Sequence, residues 1–217
     1  MTFRDRTQAG RELAGRLVDL DLHDPVVLGL PRGGIPVAVE VADALGAPAE
    51  AFVALKVGAP GHEELGIGAV AEGSDVLVVS DTAHRLGVAD SDLHELAERA
   101  RRELDRRVDA YRAGRELPDL TGRDTILVDD GLATGVTAEA ALRSLRTRGP
   151  RRLILAIPTC ARETRDRLRG LADDVICVLA PEEFYAVGQW YDDFSQTTDE
   201  EVLDLLATSR ARSGGDR

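Results

Sequence analysis

The stretch ILVDDGLATGVT, residues 126–137, sets an apolar run directly against two carboxylates, then a turn of small residues, hydroxyls and glycine. A short, continuous apolar run of this kind is the pattern of a strand buried on both faces. Asp129 and Asp130 then stand at the carboxyl end of that strand, because two adjacent carboxylates inside the core would lose their hydration without gaining partners. Gly131 to Ala133 make a turn, and Thr134-Gly135-Val136-Thr137 leads into the helix TAEAALRSLRTRG. Taken singly, Asp-Asp and Thr-Gly are common as turn residues and helix caps. Taken in this order they form an anion cradle: N–H groups at a helix start, hydroxyl donors, and a glycine that lets the anion come close. The carboxylates beside it can accept hydrogen bonds from vicinal hydroxyls. A phosphate with a diol a few ångströms away describes a ribose 5-phosphate.

The flanking sequence repeats one pattern. VVLGL (26–30), bounded by prolines, reads as a buried strand, and IPVAVEVADALG (35–46) as a helix with Pro36 in its first turn and Gly46 past its end. AFVALKVG (51–58) reads as a second strand, GAPGHEELGIG as a mobile loop, and AVAEGSDVLVVS (69–80) as a hairpin turning at Glu72 to Asp75. From Ser91 to about Gly114, Leu93, Leu96, Ala97, Ala100, Leu104, Val108 and Tyr111 recur on one face of a long helix. RLILAIPT, ARETRDRLRG and DVICVLAP continue as strand, helix and strand, and residues 5–20 make an amphipathic N-terminal helix. Strands alternating with helices predict a three-layer α/β/α domain around a mainly parallel sheet. Ligands of such sheets sit beyond the carboxyl ends of the strands. A single domain is expected over 1–208, with a small hood from about 1–24 and 181–208, and a disordered tail over 209–217.

The chain has 217 residues, 43% hydrophobic and 30% charged, enough for one substantial core. It contains no apolar run near the roughly 20 residues that span a bilayer. Its N-terminus carries Asp5 and Glu12 where a secretory signal would be basic and then apolar, so a cytoplasmic protein is expected. A net charge of -12 argues against a general nucleic-acid binder. Cys160 and Cys177 lie in or beside apolar runs and read as buried free thiols.

A second stretch bears on the cradle. GLPRGG (29–34) ends the first strand and opens a helix, where Gly33 and Gly34 permit close backbone approach and Arg32 supplies a permanent charge. The order strand, DD, three small or apolar residues, TGxT and helix resembles the phosphoribosyl pyrophosphate (PRPP) motif of the type I phosphoribosyltransferases. GLPRGGIPVA, KVGAPGHEELGIGAVAEG and FYAVGQWYDDFSQTTDEEV extend the resemblance to the stand-alone bacterial members of that family, over nearly the whole chain.

This resemblance implies PRPP as donor, with Asp129 and Asp130 holding the ribose hydroxyls and residues Ala133, Thr134, Gly135, Val136 and Thr137 holding the 5-phosphate. It assigns the pyrophosphate to Arg32, Gly33, Gly34 and Lys56, and implies a cis peptide at Pro31–Arg32. Magnesium is the implied cofactor, oriented by Asp129 and Asp130 directly or through water. Lys56 reads equally as a solvated strand-end lysine. Related chains often carry Arg-Lys where this one has Leu55-Lys56, which implies weaker donor binding. Ala133 stands where the 6-oxopurine enzymes place a proton-transferring aspartate, and DDGLATGVT is closer to the adenine-type version, in which a loop glutamate serves. Glu63, Glu64 and Glu72 are the candidates, with His62 behind them; each also reads as a solvated loop residue. His23, His84 and His94 do not cluster and read as surface residues.

The acceptor, a nucleobase or related nitrogen heterocycle, is assigned to the hood. Phe184, Tyr185, Trp190 and Tyr191, together with Phe194, can stack on a flat ring. They equally suit a role as glue between a terminal segment and the core, or as a homodimer contact. The alternative function is a PRPP- or nucleotide-binding regulator that kept the donor loops without the chemistry. A PRPP synthetase subunit shares the motif but has a longer, duplicated architecture.

Overall fold

The computed structural model describes residues 2–59 and 61–214. Five strands form its centre: β1 (Val26–Gly29), β2 (Ala49–Ala51), β6 (Asp124–Val128), β7 (Arg152–Thr159) and β8 (Asp174–Leu179). They make one all-parallel sheet in the order β2-β1-β6-β7-β8. Alternate residues serve opposite faces. Val27, Ile126, Val128, Ile154 and Ala156 join one core layer, and Val26, Leu28, Leu127, Leu153, Leu155 and Ile157 the other. A sheet covered on both sides needs apolar residues at every position, which is why these strands read as continuous rather than alternating runs.

Helices α1 (Arg6–Ala14), α2 (Gly34–Leu45) and α7 (Asp199–Gly214) supply apolar side chains to the first layer; α5 (Val136–Arg146) and α6 (Arg162–Leu168) supply the second. The long helix α4 (Asp90–Arg112) packs through all seven stripe residues from Leu93 to Tyr111. A short helix, α3 (Asp81–Leu86), precedes it and was not legible in the sequence.

The structure corrects three local readings. AFVALKVG is not one strand: β2 ends at Ala51, the chain turns at Phe52 and Val53, and β3 (Ala54–Ala59) starts a separate antiparallel sheet with β4 (His62–Ala71) and β5 (Val78–Val79). Both halves are apolar because that small sheet is itself sandwiched, with Val57, Ile67 and Val70 in the first core layer and Ala54, Ala69 and Ala71 in the second. GAPGHEELGIG, expected as a loop, mostly continues this sheet as part of β3 and β4, with register shifts between Val57 and Ala59. The hairpin to β5 is present, with Gly68 opposite Val79. Thirdly, the expected tail is helical as far as Gly214. Val202, Leu206 and Ser209 are fully buried on one face of α7, and Arg210 donates from Nε to Glu50 at 2.9 Å. Charge and glycine in SRARSGG hid that stripe.

The terminal segments divide. α1 and α7 lie against α2 on the sheet face. Residues 3–4 instead run beside 190–193, with Phe3 N–H donating to the Trp190 carbonyl and Asp192 N–H to the Phe3 carbonyl, both at 2.8 Å. Phe3, Ala9 and Tyr191 form a small apolar cluster there. Cys160 is buried and Cys177 half-buried; both are free, with their Sγ atoms 2.8 Å apart. No helix of the described residues is long and apolar enough to cross a membrane.

Candidate active site

β6 ends at Val128, and Asp129 and Asp130 follow it at the rim of the sheet. Leu132 then pairs with Cys160 beyond the end of β7, its N–H donating to the Thr159 carbonyl at 3.0 Å. This anchors the turn from below and leaves Ala133 and Thr134 exposed. Gly135 caps α5 with φ 68°, a left-handed conformation that a side chain would strain, and a β-carbon there would overlap Thr164. Two residues of α6 brace the cradle from outside, Thr164 donating to the Ala133 carbonyl and Arg167 to the Thr134 carbonyl. The sequence offered no means of finding them, since they act on main-chain atoms from a separate helix.

Facing this turn is the loop between β1 and α2. The Pro31–Arg32 peptide is cis. Gly33 sits so close to the acid pair that a β-carbon would overlap Asp130 Oδ2 and lie 3.1 Å from Arg6 Nε. At Gly34 a β-carbon would lie 3.0 Å from the Asp129 α-carbon. The two glycine-bearing loops are thus in van der Waals contact across the carboxylates. Arg32 is half-buried and close enough to the Tyr111 hydroxyl on α4 to act on it electrostatically. Lys56 is exposed on β3, on the wall of a cleft of about 830 Å³ between the β3–β4 hairpin and α4.

The acid pair is electrically unbalanced. Burial, together with repulsion from Asp130, pushes the Asp129 carboxyl well above the usual carboxylate range. Burial also raises Asp130, opposed by Arg6, whose Nε donates to Asp130 Oδ2 at 2.8 Å. Asp129 Oδ1 accepts from the Asp130 N–H at 2.9 Å. Arg6, on the first turn of α1, is a site residue that no motif announced; its only trace is a basic residue after the helix cap Asp5.

Two sequence-derived assignments change. Glu72 is no loop carboxylate: it is 6% exposed, ion-paired to Arg112 of α4, and accepts from the Val53 N–H at 3.2 Å. With both oxygens engaged in the scaffold, it is removed from the proton-transfer candidates. Tyr191 is equally engaged. Its ring is buried against Phe3 at 5.5 Å and its hydroxyl donates to the Asp130 carbonyl at 2.6 Å, so it is a strut under the acid pair rather than a stacking surface. Phe184 and Trp190 lie 6.1 Å apart and nearly parallel, while Tyr185 is 82% exposed. His62 is exposed, as are His23, His84 and His94. The side chains of Glu63 and Glu64 lie outside the described residues.

A parallel sheet whose strand ends carry an acid pair, a glycine turn at a helix start and a facing glycine loop defines an α/β protein with its candidate ligand rim at the carboxyl ends of the strands. Residues 4–194 match the phosphoribosyl transferase domain model, and the chain belongs to that family. It is 46% identical to the TT1426 protein of Thermus thermophilus, whose crystal structure superposes with a TM-score of 0.80 over 96% of this chain and 99% of that one. Two Mycobacterium tuberculosis proteins, provisionally named phosphoribosyl transferases, are 45% identical over 205 residues. These residues are 94% of this chain and 46% of each relative, so the chain spans about half the length of the curated relatives it matches. The AQ2163 protein of Aquifex aeolicus, 15% identical, shares the fold at a TM-score of 0.52 over 93% of this chain and 84% of its own.

Proposed function

We propose that this chain is a magnesium-dependent phosphoribosyltransferase that binds PRPP and transfers its phosphoribosyl group to a nitrogen heterocycle, releasing pyrophosphate. One observation carries the reading: the unbalanced pair Asp129–Asp130 packs directly against the Gly33–Gly34 loop and runs straight into the Thr134–Thr137 turn at the start of α5. In this assignment the cradle receives the 5-phosphate on the α5 N-terminus and the carboxylates accept the ribose hydroxyls. Gly33 and Gly34 admit the pyrophosphate, beside Arg32. Lys56 is assigned to the pyrophosphate as well, reached across the cleft it lines.

Among the described residues no cluster of three or more His, Cys, Asp or Glu side chains forms a metal cage. Two carboxylates at a ligand rim suit a cation held mainly by the ligand's own oxygens. Asp129 and Asp130 would orient that ion, which when bound would supply positive charge beside the pyrophosphate. What the chain supplies is positioning: it holds the anomeric carbon exposed while the leaving group is fixed by backbone donors. Phe184, Trp190 and Tyr185 offer flat surface to the acceptor.

Titration calorimetry of PRPP with magnesium tests the donor assignment, and a nucleobase panel assayed for released pyrophosphate tests the transfer. Binding with release supports the enzyme and names the acceptor. Binding without release from any base favours a PRPP-binding regulator. No binding refutes the assignment of both loops.

A further inference from the structure

Arg6 takes part in two parts of the molecule at once. Its side chain is 12% exposed; Nε donates to Asp130 Oδ2 at 2.8 Å and Nη1 to the Ser195 carbonyl at 2.7 Å. Its guanidinium carbon lies 4.0 Å from the centre of the Phe194 ring, a stacking distance for a planar cation. Segment 190–195 is therefore tied to the acid pair twice. The Tyr191 hydroxyl holds the Asp130 main chain, and Arg6 holds the Asp130 side chain.

The two ties differ in what can break them. The Tyr191 bond ends on a carbonyl that no ligand needs. The Arg6 bond ends on Oδ2, the carboxylate oxygen packed beside Gly33 at the edge of the facing loop. A hydroxyl that donates to Oδ2 competes directly with the guanidinium, whose other anchors, Phe194 and Ser195, belong to the aromatic segment.

We propose that Arg6 is a positioning residue that latches Phe194 and Ser195 onto Asp130 before the donor binds, and that a ribose diol binding Asp130 displaces the guanidinium and releases those two residues, while residues 190–193 stay paired with Phe3 and Arg4. The inference rests on the donor reading given above.

Trp190 is the only tryptophan of the chain and shares the turn Val187–Trp190 with Gly188, against which the Phe194 ring packs, so its emission reports the release of Phe194. The full chain is titrated with PRPP and magnesium while Trp190 emission and acrylamide quenching are recorded, with calorimetry in parallel. Wild type should shift its emission and become more readily quenched as the donor binds. Arg6→Gln should begin, without ligand, at the donor-saturated wild-type signal and lose the donor-dependent change. Arg6→Lys, which keeps the charge but not the fork, should retain part of it. Circular dichroism confirms that each variant is folded, and if Arg6→Gln is not, wild type and Arg6→Lys decide. Calorimetric donor binding with a silent Trp190 in wild type overturns the latch and leaves the donor reading standing. An absence of calorimetric binding overturns the donor reading and the latch with it.

Discussion

Glu72 and the Asp129–Asp130 pair are both acidic sites with limited access to water, and they differ in how their charge is matched. Glu72 meets Arg112, itself 4% exposed, through one oxygen and a backbone N–H through the other; burial raises its carboxyl pKa and Arg112 opposes the rise. At the rim, two carboxylates share the guanidinium of Arg6. Matched charge ties the small sheet to α4. The second carboxylate at the rim has no such partner, so the imbalance, rather than burial or a raised pKa alone, distinguishes the candidate site from the scaffold.

Glu72→Gln should cost the most, about 3–5 kcal/mol of folding stability, because it strands a buried arginine. Denaturant titration measures the loss, and a weakened PRPP affinity in the folded fraction would return Glu72 to the site. Asp130→Asn should act the other way round, weakening PRPP binding by about 2–3 kcal/mol through lost charged hydrogen bonds and abolishing transfer. Unchanged calorimetric affinity and activity would sink the acid-pair assignment.

Smaller effects sharpen it. Tyr191→Phe removes the hydroxyl from the Asp130 carbonyl and should lower stability by about 1 kcal/mol; a melt identical to wild type would show that the strut carries no load. For Asp129, the folded-state pKa lies above the unfolded value, so the folded protein holds a proton that the unfolded chain has lost. Stability should therefore fall as pH rises from the ordinary carboxylate range through the raised value, while donor affinity climbs over the same window. Melting curves of wild type against Asp129→Asn read this directly, and a difference that does not change with pH refutes the raised pKa. Least of all, Tyr185→Ala should leave stability within about 0.5 kcal/mol, as expected for an exposed ring. Any consequence belongs in acceptor KM, and a large drop in melting temperature would show that the ring packs in solution.

The parallel sheet, helices α1, α2, α4, α5 and α6 and both glycine-bearing loops could be read from residue order, because each depends on contacts a few residues apart: apolar runs, the DD-to-TGxT spacing, the helix starts. Elsewhere one local pattern serves two architectures. AFVALKVG has the composition of a single strand, yet its two halves join different sheets, and the register that separates them depends on which strand lies alongside. Val202, Leu206 and Ser209 form a stripe only when α2 and β2 are there to cover it.

The site divides along the same line. By itself, the sequence determined where the acid pair, the glycine turn and the facing glycines stand in the fold, since each is a short motif at a strand end whose position follows from its residues and their spacing. Tertiary structure alone decided that Arg6 answers Asp130 from 124 positions away, that Tyr191 supports rather than stacks, and that Glu72 belongs to the scaffold. Those roles depend on which charge and which hydroxyl the fold brings to a given carboxylate or carbonyl, and electrostatic and hydrogen-bond partners are chosen by distance in space, which chain order does not encode.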